Sequence, residues 1–171
     1  MCLPTLAGRT IVEEPPLFVE TQRFLPRPLS LALVVGVGAL AAWTLLSWAP
    51  RGPEWAAAAI GLGVALLFHL LELTVSVRRS GIDVRFRPLH RRRLDPTAIR
   101  SCEARTYRPI LEFGGWGLRR GWKGGFAYNV RGNRGAQLVL ESGERLLLGS
   151  QQAEDLAAAI RQVARLPDPR T

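Results

Sequence analysis

The sequence predicts an α+β membrane protein: an N-terminal transmembrane helical hairpin followed by a small antiparallel β domain capped by a C-terminal α-helix. Three observations carry this. Two runs, Leu29–Ala49 and Trp55–Leu71, contain no Asp, Glu, Lys or Arg over 21 and 17 residues. From Leu73 onward the apolar residues alternate with polar ones, the period of half-buried strands. Near the C-terminus Leu156, Ala159, Ile160 and Val163 recur at helical spacing and form one apolar stripe.

The first run is long enough to cross a hydrocarbon core of about 30 Å. Pro26 and Pro28 precede it, where proline does not break a helix already under way. Trp43 and Trp48 fall toward its far end, and Trp55 opens the second run; Trp48 and Trp55 suit an interfacial aromatic belt. Pro50-Arg51-Gly52-Pro53 makes the turn between them. Leu73, Val75 and Val77 prolong the shorter second run. Small residues four apart (Ala32 and Gly36, Gly38 and Ala42, Ala57 and Gly61, Ala59 and Gly63) mark faces where helices approach closely, within the hairpin or between copies.

Charge sets the orientation. The chain carries 23 basic and 14 acidic residues for a net +9, and Lys123 is its only lysine. Residues 78–171 hold 19 of the basic and 9 of the acidic residues. Arg78, Arg79, Arg85, Arg87 and Arg91–Arg93 follow the second run, so the positive-inside rule places that end in the cytoplasm and, across a short hairpin, the N-terminus with it. The expected organisation is a cytoplasmic segment 1–28, spans at 29–49 and 55–74 about an extracytoplasmic turn 50–54, a cytoplasmic domain 75–166 and a tail 167–171.

Within that domain the pattern predicts seven short strands. Leu73, Val75 and Val77 lead through Ser80-Gly81 to Ile82, Val84 and Phe86, so the second span runs almost straight into a hairpin. Pro96 interrupts; Cys102, Ala104 and Thr106 form a third strand. Eight glycines between 114 and 135 separate strands at 115–120 and 125–130. Gln137–Glu141 and Arg145–Leu148 flank a Ser142-Gly143-Glu144 turn. Strands joined in succession by turns imply antiparallel pairing. Ser150 is the expected N-cap of the last helix, with Glu154 and Asp155 in its first turn and Pro167 ending it.

Catalytic chemistry finds little footing. The two histidines form no defensible triad, and Cys102 has no histidine near it in sequence. Glu103 and Glu112 sit beside Arg105 and Arg108, which points to surface pairing. His69 and Glu72 share a face of a continuing helix, but two ligands are too few for a zinc site, and their place at the cytoplasmic end favours a boundary role. The glycine-rich stretch lacks both a Walker loop and a dinucleotide fingerprint. Two cysteines, Cys2 and Cys102, do not make a disulfide scaffold. No enzyme activity, cofactor or metal is expected.

The chain resembles the bacterial pleckstrin-homology-like (bPH) two-span membrane proteins, a family of unknown function. The resemblance lies in Phe18-Val-Glu-Thr-Gln-Arg-Phe24, in Tyr107-Arg-Pro-Ile-Leu-Glu-Phe-Gly-Gly-Trp-Gly-Leu-Arg119, and above all in the run from Ala127 to Gln151 with the helix after it. It implies a PH-like β-barrel or sandwich at the bacterial inner membrane, and no reaction.

The interaction surface is therefore expected among basic and aromatic residues: Arg91, Arg92 and Arg93 in one run, and Trp116, Arg119, Arg120, Trp122, Lys123, Arg131 and Arg134 around a glycine-rich rim. The favoured function is a non-catalytic interaction or scaffold module binding a protein segment or a second copy of itself. Alternatives are an anionic-lipid-responsive module, since each basic residue near a membrane adds about 1 kcal/mol of attraction, and an accessory subunit of a membrane transport complex. Nucleic acid is not expected as a partner.

Overall fold

The computed structural model describes residues 15–47, 54–121 and 124–167. The chain opens with strand β1 (Phe18–Arg23), then helices α1 (Arg27–Ser47) and α2 (Glu54–Leu70). Strands β2 (Glu72–Arg78), β3 (Gly81–Arg87) and β4 (His90–Leu94) follow, then a 3-10 turn at Pro96–Ala98 and β5 (Ile99–Thr106). A short helix α3 (Pro109–Phe113) leads to β6 (Gly117–Arg120), β7 (Phe126–Asn129), β8 (Arg134–Leu140), β9 (Arg145–Gly149) and helix α4 (Ala153–Ala164).

All seven expected strands are present. Two more join them. β1 is the edge of the first sheet, pairing with β2 from Phe18↔Val77 to Arg23↔Glu72. The arginine run 91–93 lies in β4, the opposite edge. The first sheet runs β1-β2-β3-β4 and is wholly antiparallel. The second runs β5-β8-β9-β7-β6. It departs from uniform antiparallel pairing at one place: β7 lies parallel to β9. The β6–β7 hairpin sits at the far side of the sheet, and β8 and β9 enter between it and β5.

The inner faces of both sheets share one core, with Leu73, Val75, Ile82, Val84, Leu138 and Leu146 almost fully buried. The stripe on α4 completes it: Leu156 and Ile160 are fully buried, and the helix packs on strands of both sheets. Its ends differ from expectation. Gln152, not Ser150, is the residue before the helix; Ser150 Oγ accepts from Gln152 N–H at 3.0 Å and donates to Glu20 Oε2. The helix ends at Ala164, where Arg165 adopts φ 54° and its backbone N–H bonds Arg161 O, ahead of Pro167.

Helices α1 and α2 pack on each other. α1 is long and apolar enough to cross a membrane, and almost none of it is buried; α2 is a shorter apolar helix. Gly38 and Gly61 lie at the contact, where an added Cβ would meet Leu62 and Val37 at 3.9 and 3.7 Å, while Gly36 and Gly63 face open space. The second apolar helix stops at Leu70 and strand pairing begins at Glu72, so the helix–strand boundary falls before the expected residue 74. The expected turn at 50–53, Trp48 and Cys2 lie outside the described residues.

Candidate functional site

The arginine run that the sequence marks as densest lines one cleft of about 490 Å³ with His90, Leu118, Phe126 and Tyr128, but its three side chains take different partners. In an edge strand, successive side chains alternate faces. Arg92 reaches the β8–β9 turn and binds Glu144 through Nη1–Oε1 and Nη2–Oε2, both 2.7 Å. The Arg92 bond holds the Glu144 carboxyl below its ordinary range against the opposing effect of burial. Arg91 Nη2 lies 3.4 Å from Asp83 Oδ1, and Arg93 Nη2 donates to Ser80 O at 3.0 Å. Each arginine of the run thus spends part of its hydrogen-bonding capacity on its own domain, Arg92 the most.

The glycine-rich rim is partly assembled. Trp116 Nε1 donates to Gly132 O at 3.2 Å and Arg119 Nε to Trp116 O at 3.1 Å, bringing Trp116, Arg119 and the 131–132 segment together. Arg134 turns away to ion-pair with Glu154 on α4. Arg120 is exposed at the end of β6, and Trp122 and Lys123 lie outside the described residues.

Two clefts flank these residues. The first, about 440 Å³, lies on the outer face of the second sheet between α3 and the strands, lined by Arg105, Leu111, Phe113, Phe126, Val139 and Arg145 among others. Phe113 in its lining belongs to a small second core with Tyr107, Ala127 and Leu147. Its rim is apolar: Leu111 is 68% exposed and Phe126 39%, with Ile110 beside them at 64%. Arg105 is held by Glu112 at 2.8 Å and by Gln137 Oε1 at 3.2 Å. The sequence led to surface pairing among Glu103, Glu112, Arg105 and Arg108 without singling out this pair, and it did not show α3, whose five residues are too short for periodicity.

The second cleft, about 570 Å³, lies where β1 hands over to α1 and is lined by Glu20, Gln22, Arg23, Arg27, Arg131 and Gln151, with Thr21 and Pro26. Only Arg131 belonged to the expected surface. Arg23 pairs with Glu72 across the foot of the two helices; burial pushes the Glu72 carboxyl up, and the Arg23 bond and charge, with Thr74 and Arg87, together hold it below its ordinary range.

No family model, curated protein or solved structure matches this chain. Its chemistry rests on its own residues. Among the described residues no group of three or more His, Cys, Asp and Glu is placed to hold a metal ion. His69 and Glu72 part company: His69 Nδ1 lies 3.0 Å from Ser30 Oγ, joining α2 to α1, while Glu72 belongs to β2. Cys102 is 3% exposed in β5, and burial pushes its thiol up to about 12, so almost none of it is thiolate at neutral pH.

Proposed function

We propose that the chain is a membrane-anchored interaction module, with α1 and α2 as a two-span anchor and the β domain held against the cytoplasmic face, in the manner of the bPH proteins it resembles. One observation carries the reading: the helical pair packs on itself and leaves its outward leucines bare. Leu31, Val35, Leu40 and Ile60 are each more than half exposed. Burying one such side chain in an apolar medium contributes roughly 1.5–3 kcal/mol, so a stripe of them in water is far costlier than in lipid. α1 rises about 30 Å and α2 about 25 Å, the second short enough to require slight local thinning of the bilayer.

Both helices join the first sheet with little slack. α1 starts four residues after β1 ends, and only Leu71 separates α2 from β2. The strand ends at Arg23, Glu72 and Arg87 lie together at the helix side of that sheet. The β3–β4 turn also faces this side and carries Leu89, 60% exposed, beside Arg87 and Arg91. An apolar tip flanked by arginines suits insertion at an anionic surface.

The apolar-rimmed cleft under α3 is where a protein segment would dock, because exposed apolar patches framed by polar groups mark such sites. The test is mild crosslinking in native membranes followed by affinity purification of the tagged chain. A protein recovered with the wild type and lost from Leu111→Asp and Phe126→Asp variants, but retained by Arg91→Gln, supports the module. Recovery unchanged by both cleft substitutions contradicts it.

A further inference from the structure

The cleft at the β1–α1 junction combines two features that a structural role leaves unused. Arg27 and Arg131 line it, both exposed and neither in an ion pair among the described residues. Gln22 lines it too, only 5% exposed, and its Oε1 is buried without a hydrogen-bond partner. The orientation of that amide is fixed by chemistry. Its Nε2 donates to Glu20 Oε1 at 2.9 Å and to Gly149 O at 3.0 Å, and neither of those can donate in return. An acceptor left unsatisfied in such a place is a standing cost to the fold.

The one carboxylate in the cleft is occupied. Glu20 Oε1 accepts from Gln22 Nε2 and Gln151 N, and Oε2 from Ser150 Oγ. Gln151 Nε2 also donates to Arg131 O at 3.1 Å, which fixes the backbone that carries that arginine. What remains free is two guanidinium groups, the positive N-terminal end of α1 and one orphan acceptor. Guanidinium forks bind phosphate oxygens well, and a helix N-terminus favours negative charge.

We propose that this cleft holds a phosphodiester bearing its own hydrogen-bond donor: Arg27 and Arg131 take the phosphate, and Gln22 Oε1 accepts from the hydroxyl or ammonium beyond it. The inference rests on the membrane-anchored reading for its source. The cleft lies at the first turn of α1, the depth of a phospholipid headgroup, so the ligand is the phosphoglycerol or phosphoethanolamine of a lipid in the leaflet that the domain faces.

The experiment uses the full chain in nanodiscs of phosphatidylcholine mixed with phosphatidylglycerol or phosphatidylethanolamine, with retained lipid counted by native mass spectrometry after release. The expected result is retention of the glycerol or ethanolamine lipid over phosphatidylcholine, whose headgroup has no donor, by about fivefold, as one added hydrogen bond gives. An Arg27→Gln/Arg131→Gln variant should lose about tenfold in retention, the loss of charge-assisted bonds. Arg100→Gln/Arg108→Gln, at exposed positions outside the cleft, should lose none. Equal retention of all three lipids, or retention unchanged in the Arg27/Arg131 variant with an unchanged melting temperature, overturns the site.

A parallel titration uses soluble glycerophosphoglycerol. Saturable binding to the wild type that the Arg27/Arg131 variant loses, with no lipid retained, keeps the phosphodiester site and overturns lipid as its source. If the chain proves soluble without detergent, the anchor fails, and the same titration still decides the cleft: binding lost in the variant supports it, and no binding overturns it.

Discussion

Arg92 and Glu144 stand 52 residues apart, in the edge strand of one sheet and the hairpin turn of the other, and clasp each other through two parallel 2.7 Å hydrogen bonds. Each side chain is about three-quarters covered, 26% and 28% exposed. The pair is a strut between sheets, made from a residue whose sequence context advertises a basic patch.

Removing the strut should be measurable but modest. Glu144→Gln and Arg92→Gln should each lower unfolding stability by about 1 kcal/mol, the double variant losing little more than either single one, as a double-mutant cycle on a partly exposed bidentate pair gives. Because the folded carboxyl titrates below its ordinary value of 4.5, the pair's contribution is complete above that pH and fades as pH falls through the lowered folded value. Denaturant melts across that range should show the wild-type advantage over Glu144→Gln shrinking with acid.

Cys102 should be silent to thiol reagents while the domain is folded. In a Cys2→Ser background, iodoacetamide at pH 8 should label Cys102 slowly in the native protein and readily in denaturant, because burial suppresses both access and ionisation. Equal rates in the two states, followed by mass spectrometry, would mean that β5 does not hold this residue inside.

Two glycines should respond differently to alanine. At Gly125, φ is +88° and an added Cβ would stand 2.3 Å from Arg145 O, a backbone atom unable to move alone. At Gly143 φ is +81° with open space around it. Gly143→Ala should cost about 1 kcal/mol, the left-handed penalty, and Gly125→Ala should cost at least about 2 kcal/mol, strain and overpacking together. Thermal melts of the detergent-solubilised chain check both.

The alternation of Leu73 to Val77 and Ile82 to Phe86 was legible because those strands present apolar side chains at every inward position. β1 and β4 were not, for a local reason. The inward positions of β1 include Phe18 and Gln22, and the latter is a polar residue satisfied at its nitrogen by Glu20 and Gly149. In β4 an inward position is Arg92, neutralised by Glu144. A buried polar residue with a distant partner erases the pattern in its own strand. Ser150 keeps part of its capping role, accepting from Gln152 N–H at 3.0 Å, while its own hydroxyl donates to Glu20, 130 residues away. The parallel β7–β9 pairing is a choice of neighbour between separated segments, which no local signal encodes. Of the expected surface, Trp116 and Arg119 come together, Arg92 and Arg134 are spent on ion pairs, and Arg131 joins a cleft whose other members, Gln151 apart, sit more than a hundred residues earlier.

The Ser30–His69 hydrogen bond offers a check on the helical pair itself. Ser30 is 2% exposed and its Oγ lies 3.0 Å from His69 Nδ1. Ser30→Ala should weaken the hairpin by about 0.6–1.5 kcal/mol, typical of polar contacts between membrane helices, read as earlier unfolding in a denaturing-detergent titration. His69→Ala should match it, and the double variant should add little.

The proposed function requires α1 and α2 to lie in a bilayer. The most direct measurement is extraction of washed cell membranes with alkaline carbonate, followed by flotation of the pellet through a density gradient. The full chain should stay with the pellet and float with lipid, and a variant with Leu31, Val35, Leu40 and Ile60 all changed to Ser should not. Release of the wild-type chain into the alkaline supernatant would contradict it.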